Sequence, residues 1–371
     1  MKSILSVGMD VHKNSFSLCA YDGYTGEIVS ESTFASDVKL VIKFIETLKS
    51  RYENDVEIKC GYEAGCLGYS LYKLLTARGV DCVILAPTTM QVSAKNKMVK
   101  NDRMDALNIA KNLASGSYKT VYIPDEEDVE IKEYIRMIHD FKKELKRVKQ
   151  EICAFVLRHG YQYDGKSKWT IRYMNWIREL EMSEIQRETL NEYIAEMENL
   201  NDKIDRFMNR INEIYQSERY HEKVSKLRCF KGIDTFAAMT IQVETADFER
   251  FPSAKAYASY TGLTTGEHSS GDKNNRIGIT KQGNTVIRKT LVECAQSLVK
   301  GNVYAKKSQR LKSRQKGMDV NIIVYADKAT ERLKKKYQKL IERNVPRNKA
   351  IVAVARELAC FIWGMETGNI H

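Results

Sequence analysis

The chain has 371 residues, 60 Lys+Arg against 48 Asp+Glu, a formal net charge of +12 and 43% hydrophobic residues. It is apolar enough to fold and longer than one hydrophobic core usually grows, so two or three domains are expected. No apolar run is long enough to span a bilayer, and Asp10 and His12 interrupt the N-terminus too early for a secretory leader, which excludes membrane and secreted classes and reads as cytoplasmic.

Residues 1–122 alternate strand and helix signals. The runs "SILSVGMDV" and "SFSLCAYDG" are strand-like and joined by a short turn at His12 to Asn14, and "GEIVSESTF" follows a Gly-containing turn, which predicts an antiparallel meander. "DVKLVIKFIETLKSRY" then carries apolar residues at helical spacing. It precedes the strand "VEIKCGYEA", the helix "LGYSLYKLLTARG" and the strand "DCVILAP". A meander followed by helix and strand alternation predicts a mixed α/β sheet with helices on its faces.

In residues 123–222 the pattern becomes helical. Ile131, Tyr134, Ile138, Phe141, Leu145, Val148, Ile152 and Phe155 form one heptad seam; Leu190, Tyr193, Met197, Leu200, Ile204, Phe207, Ile211 and Ile214 form a second. Gly160 and Gly165 lie between them, so an antiparallel coiled-coil hairpin is the economical reading, although either seam could meet a partner chain. Its job would be spacing or oligomerisation.

Residues 223–371 form a basic, mainly helical segment. From Ser225 to His371 there are 27 Lys+Arg against 13 Asp+Glu, so the basicity of the chain is C-terminal, and with tyrosines interspersed it suits a polyanion such as nucleic acid. "CFKGIDTFAAMTI" has the rhythm of a helix-hairpin-helix turn, where Lys231 and the backbone near Gly232 could meet phosphate; a plain helix-packing turn fits equally well. In "GEHSSGDKNNRIGITKQGN" glycines and cations surround Ser269 and Ser270. On composition alone this is an ordinary Ser/Gly-rich turn. A serine hydroxyl can nevertheless attack a phosphodiester if cations stabilise the developing charge, and Arg276, Lys281, Arg288 and Lys289 are the candidate clamps.

Four carboxylates complete the picture. Asp10 ends the first strand, Glu63 ends the strand "VEIKCGYEA", and Asp102 and Asp105 in "KNDRMDAL" are three apart, on one face of a helix. Singly, each reads as a surface residue or a cap, and a D-x-x-D pair usually faces solvent. If the two strands are neighbours and the helix packs across the sheet, the four gather, and four anions need a cation. A hard divalent ion such as Mg²⁺ would neutralise them and support in-line attack on a phosphodiester. The eight scattered cysteines, without a C-x-x-C pair, suit reduced thiols. His12 and His268, lone histidines beside these motifs, read as structural.

The order Asp10, Glu63, Asp102-x-x-Asp105 in a meander-led α/β domain resembles the RuvC-like, ribonuclease H-fold domain of DEDD transposases, carried by "VGMDVHKNSFSLCAYD", "GYEAGCLGYSLYKLL" and "KNDRMDALNIAKNLASG". The C-terminal "ERFPSAKAYASYTGLTTGEHSSGDKNNRIGITKQGNTVIRKTLV" resembles the companion domain of the insertion-sequence 110 family. The resemblance implies a RuvC-like DEDD domain at 1–122, a coiled-coil hairpin at 123–222 and a basic serine transposase domain at 223–371. It implies a DNA transposase that cuts and rejoins donor and target DNA, with Mg²⁺ on Asp10, Glu63, Asp102 and Asp105. By the same resemblance the catalytic serine is Ser269, which begins the S-x-G triplet, with Ser270 at the variable position. A guide RNA encoded by the element is implied too, as is a homo-oligomer, dimer or tetramer, in which the serine of one subunit joins the acids of another. The host would be bacterial or archaeal, with the protein at the nucleoid during action.

Three other readings compete. A RuvC-like metal-dependent DNA endonuclease would use the same carboxylates but cut by water. An actin-like nucleotide-binding protein shares the sheet, but the second Gly-rich phosphate loop is missing. A structural DNA-bridging protein would bind without turnover.

Overall fold

Along β1 (Ser3–Val11) the side chains alternate: Leu5, Val7, Met9 and Val11 are buried on one face of the sheet, while Ser6, Gly8 and Asp10 occupy the other. This computed structural model describes residues 3–52, 56–65, 67–91, 101–267 and 276–370. They fall into two compact units, Met1–Ile123 and Pro124–His371, each with its own core.

In the first unit β2 (Ser15–Asp22) pairs antiparallel with β1, and β3 (Ile28–Ala35) antiparallel with β2. On the other side of β1, β4 (Val56–Glu63) and β5 (Asp81–Leu85) run parallel to it, giving the order β3-β2-β1-β4-β5. The mixed α/β expectation holds. α1 (Val38–Arg51) and α2 (Ser70–Thr76) bury Val41, Ile45, Leu48, Leu71 and Leu75 against the Leu5–Val7–Met9 face. α3 (Asp102–Ser115) covers the opposite face.

That second face is built from small residues. Gly8 stands opposite Cys19 on β2 and Gly61 on β4. A Cβ on Gly8 would lie 2.2 Å from the carbonyl oxygen of Ala106 and 2.3 Å from the amide nitrogen of Ala110, so the α3 backbone rests directly on β1. Only glycine permits that approach. Ile109 and Leu113 of α3 form a small separate core with Leu85 at the β5 edge.

The second unit is mostly helical. α4 (Glu126–Arg158) and α6 (Glu184–Tyr215) pack antiparallel: Tyr134 and Phe141 meet Phe207, while Phe155 meets Tyr193. Between them the chain is not a bare link. Thr170 accepts a hydrogen bond from Tyr173 N and starts α5 (Ile171–Arg178), whose Tyr173 and Ile177 are buried with Val148, Ile152, Leu190 and Ile194. Heptad counting passes over α5 because eight residues are too few to show a seam.

The rest of this unit is α7 (Glu218–Arg228), α8 (Thr235–Thr245), α9 (Ala254–Tyr260), the strands β6 (Thr265–Glu267) and β7 (Arg276–Ile279), and α10 (Thr285–Leu298), α11 (Gln309–Gln315), α12 (Val320–Glu342) and α13 (Arg347–Glu366). α13 lies deepest. Its Ile351, Val354, Ala355, Leu358, Ala359 and Ile362 are fully buried in one core with α8 and α10. Among the described residues no helix is long and apolar enough to cross a membrane.

Candidate active site

Asp10 belongs to the small-residue face because it follows Gly8 by two positions on β1. The same contact that seats Ala106 on Gly8 brings the start of α3 over the end of β1. Asn101 caps α3 by accepting from Met104 N at 2.8 Å, and Asp102 and Asp105 occupy its first turn. Carboxylates are favoured there by the positive end of the helix dipole, whatever else they do.

Asp10 and Asp102 thus meet, and His12 joins them. His12 Nε2 is 3.2 Å from Asp10 Oδ2 and 3.7 Å from Asp102 Oδ1, and the ligand atoms of the three residues lie within 4.8 Å of one another. Asp102 and His12 are open to solvent, whereas the Asp10 side chain is only 17% exposed. Asp10 Oδ2 is itself shut off from water and, despite the nearby imidazole, has no partner in hydrogen-bonding geometry. Burial raises the Asp10 carboxyl above its ordinary range; His12 opposes the rise, and Asp102 and Asp105 add to it. A buried, under-partnered carboxylate beside two more of like charge fits a divalent cation, for which carboxylate oxygens are the natural ligands.

Asp105 is half-buried, close enough to act on Asp10, yet outside the tight group of three. Glu63 also stands outside that group. It is exposed at the end of β4, one position past the Met9–Tyr62 pair that ends the β1–β4 register, and on the same face as Gly61. His12 is not among the metal ligands expected from sequence. Its signal was its spacing, since residues two apart at a strand end share a face.

In the second unit Ser269 lies outside the described residues, as do its immediate neighbours. The flanks of that segment are well anchored. Thr265 and Glu267 of β6 pair with Ile279 and Arg276 of β7. Lys281, with φ +56°, sends its carbonyl oxygen to Arg288, whose Nη1 donates to it at 3.0 Å and to the Thr261 carbonyl at 3.3 Å. Arg288 therefore already ties this stretch to α9. Lys289 is exposed on α10.

Asn284 fastens the far end. Its Oδ1 caps α10 by accepting from Val286 N and Ile287 N, and its Nδ2 donates to Glu244 Oε2 at 2.6 Å. The Glu244 side chain is fully buried and also takes Arg136 of α4 in a two-pronged pair at 2.8 and 3.1 Å, with Lys132 at 3.6 Å. Burial pushes the Glu244 carboxyl up, but Arg136, Lys132 and Asn284 outweigh it and hold it below the ordinary carboxylate range. Glu244 was legible as the one charge in the otherwise uncharged "TFAAMTIQVET".

Lys231 donates to the Lys300 carbonyl, and burial next to Lys334 lowers its ammonium to about 8. Gly232, at φ +92°, is a packing position. A Cβ there would lie 2.5 Å from the Cys294 carbonyl oxygen, so the turn between α7 and α8 packs on the backbone of α10.

Residues 7–160 match the DEDD transposase domain of the IS110 type, described as Transposase, and residues 224–309 match "Transposase IS116/IS110/IS902 family". The chain is 31% identical over 361 residues to y4qE of Sinorhizobium fredii, which carries a transposase name, covering 97% of this chain and 87% of that protein. It is also 31% identical over 345 residues to the transposase for insertion sequence element IS1533 of Leptospira borgpetersenii, covering 92% and 97%. With the transposase for insertion sequence element IS1111A of Coxiella burnetii it shares 23% identity over 99% of its own length and 91% of the relative's. The DEDD domain is RuvC-like and implies dependence on a divalent metal.

Proposed function

This chain belongs to the IS116/IS110/IS902 family of transposases, and from that premise we propose that it is an RNA-guided DNA recombinase acting through Ser269 and an acidic Mg²⁺ site. Its activity is DNA transposition and its substrate is DNA. The observation that carries the reading is the approach of Asp10 and Asp102 across the Gly8–Ala106 contact.

In this reading Asp10, Glu63, Asp102 and Asp105 hold Mg²⁺, with His12 as a neighbour. The ion, when bound, neutralises charge on the scissile phosphate. Ser269 Oγ attacks phosphorus; an Oγ–P bond forms as one P–O bond to the departing strand end breaks, and the departing oxygen takes up a proton. A hydroxyl from the incoming strand then displaces Ser269 and restores it. Arg276, Lys281, Arg288 and Lys289 offer positive charge to the phosphate, and Lys231 at the Gly232 turn offers more. Three working parts follow: residues 1–122 for metal, 123–222 as a coiled coil pairing subunits in a dimer or tetramer, and 223–371 for the serine and DNA. The guide RNA rests on the family resemblance.

Ser269→Ala supplies the test. With element-end DNA and co-purified RNA, the wild type should form a covalent protein–DNA adduct on denaturing gels, and the variant none. Adducts that persist in the variant would remove Ser269 as nucleophile. Free DNA ends with no adduct in either protein would instead support hydrolysis by water.

A further inference from the structure

Among the described residues, the second unit holds a groove whose lining includes none of the site residues named above. It is about 750 Å³ in volume and lies between α4 and the stretch leading into α5. Lys142, Lys146 and Lys149 line its α4 wall at spacings of four and three, which keeps them on one face of the helix. Lys168 enters from the opposite side and donates to Cys153 Sγ at 3.4 Å.

Much of the remaining surface is aromatic, with Leu145, Val156, Leu157, Gln150 and Gln162 completing it. Tyr163, Trp169 and Trp176 surround Tyr173 with centroids 5.0, 5.1 and 5.6 Å from it; Tyr173 is buried, and the other three are half-exposed. Lys149 Nζ is 5.3 Å from the centre of the Trp169 ring. Among the described residues no aspartate or glutamate lines the groove. The acids of this part of α4, Glu144 and Glu151, are taken by Arg147 at 2.7 Å each, and among the described residues none of the four lysines forms an ion pair. A cluster that served only as a small core would close its rings from water. Here three rings stay partly open beside Lys146, Lys149 and Lys168, while Lys142 lies over the Phe236 ring at 3.6 Å and feels Asp234 and Glu293.

We infer that this groove binds an unpaired strand of nucleic acid, with bases on the Trp169–Trp176–Tyr163 surface and phosphates along the α4 lysines. Alternating ring faces and positive charge match the two repeating parts of such a strand. A duplex hides its base faces and satisfies only the lysines. The inference rests on the nucleic-acid reading above and adds to it a set of residues distinct from the acidic cluster and from Ser269. DNA and RNA strands share this chemistry.

The test uses the full-length protein. Trp169 and Trp176 are two of its three tryptophans, so emission reports on the groove. Fluorescent oligothymidylate and oligouridylate are titrated into wild type, Trp169→Phe and Lys146→Gln/Lys149→Gln, with a blunt duplex as comparison and thermal melts to confirm folding. Expected are saturable quenching in wild type, a much smaller change in Trp169→Phe, and about tenfold weaker single-strand affinity with a shallower salt dependence in the double lysine variant. The tighter oligonucleotide names the strand. Single strands that bind without quenching, or with the same affinity in all three proteins, overturn the inference. Adducts through Ser269 are scored in the same preparations. Adducts without quenching sink the groove alone, whereas quenching without adducts keeps the groove and sinks the recombinase reading.

Discussion

The carbonyl oxygen of Ala106 lies where a Cβ on Gly8 would sit, 2.2 Å from it. Two backbones meet there with no side chain between them, and the distance between Asp10 and the first turn of α3 is set by that meeting.

Gly8→Ala should therefore do more damage than its single methyl suggests. Backbone cannot rotate away, so the expected loss is about 3 kcal/mol, the upper part of the usual range for overpacking, with α3 displaced and metal-dependent strand cleavage lost. Gly61→Ala is the comparison. Its Cβ would meet the side-chain ends of Leu85 and Leu113 at 2.7 and 3.0 Å, which can move, so about 1 kcal/mol is expected. Urea unfolding of the two variants measures the order; an equal loss in both would refute it.

Asp10→Asn should separate stability from function. Burial and the nearby Asp102 and Asp105 disfavour the charged form of Asp10, so a neutral isostere should melt at the same temperature as the metal-free wild type or higher. Strand exchange should fall by about a thousandfold or more, because one carboxylate of the proposed Mg²⁺ site is gone. Differential scanning calorimetry with chelator, then with added Mg²⁺, gives the check: Mg²⁺ should raise the melting temperature of the wild type and leave the variant unmoved.

Glu244→Leu should destabilise the second unit by roughly 3–5 kcal/mol, since it leaves Arg136 and Lys132 without their buried counter-charge. Arg136 is the stronger partner, because burial holds Lys132 below the usual lysine range. The pH dependence follows from the lowered carboxyl of Glu244. Its contribution is complete above the ordinary carboxylate value and disappears as pH falls through the depressed folded value. The gap between wild type and Glu244→Gln in chemical denaturation should accordingly be widest at neutral pH and shrink in acid.

Glu366, at the end of α13, behaves in the opposite sense. Its Oε1 is shut off from water without a partner, and burial raises the carboxyl to about 7 against opposing contributions from Gln242, Lys226 and Lys223. The folded state then holds a proton that the unfolded chain has released, so stability declines as pH rises from the ordinary glutamate value through about 7. Glu366→Gln should be more stable than wild type at pH 8 by on the order of 2 kcal/mol and equal to it in mild acid. A constant difference across that interval would rule out the proton.

Period-two alternation made the sheet legible, because Leu5, Val7 and Met9 must share a face whatever packs on them. The two hairpin helices were legible by the same logic at period 3.5, and their antiparallel pairing from the glycines between them. The meeting of Asp10 with Asp102 could be anticipated only as a condition on how the helix packs. It depends on the absence of a side chain at Gly8, and sequence shows the glycine without showing what approaches it. His12 was hidden by its exposure, which makes a histidine look incidental until its neighbours are placed. α5 and its aromatic groove escaped for a different reason. Eight residues are too few to show a seam, and the ring contacts among Tyr163, Trp169, Tyr173 and Trp176 follow no helical or strand period.

The pairing of Arg136 with Glu244, and of Glu244 with Asn284, reaches 108 residues in one direction and 40 in the other. A single carboxylate thereby knots the first long helix of the second unit to Asn284, the residue that caps α10. Whatever tugs on that helix pulls on the start of α10 as well, and an alteration at Arg136 should be looked for in the strand exchange proposed for Ser269, however remote the two seem when the residues are read in a line.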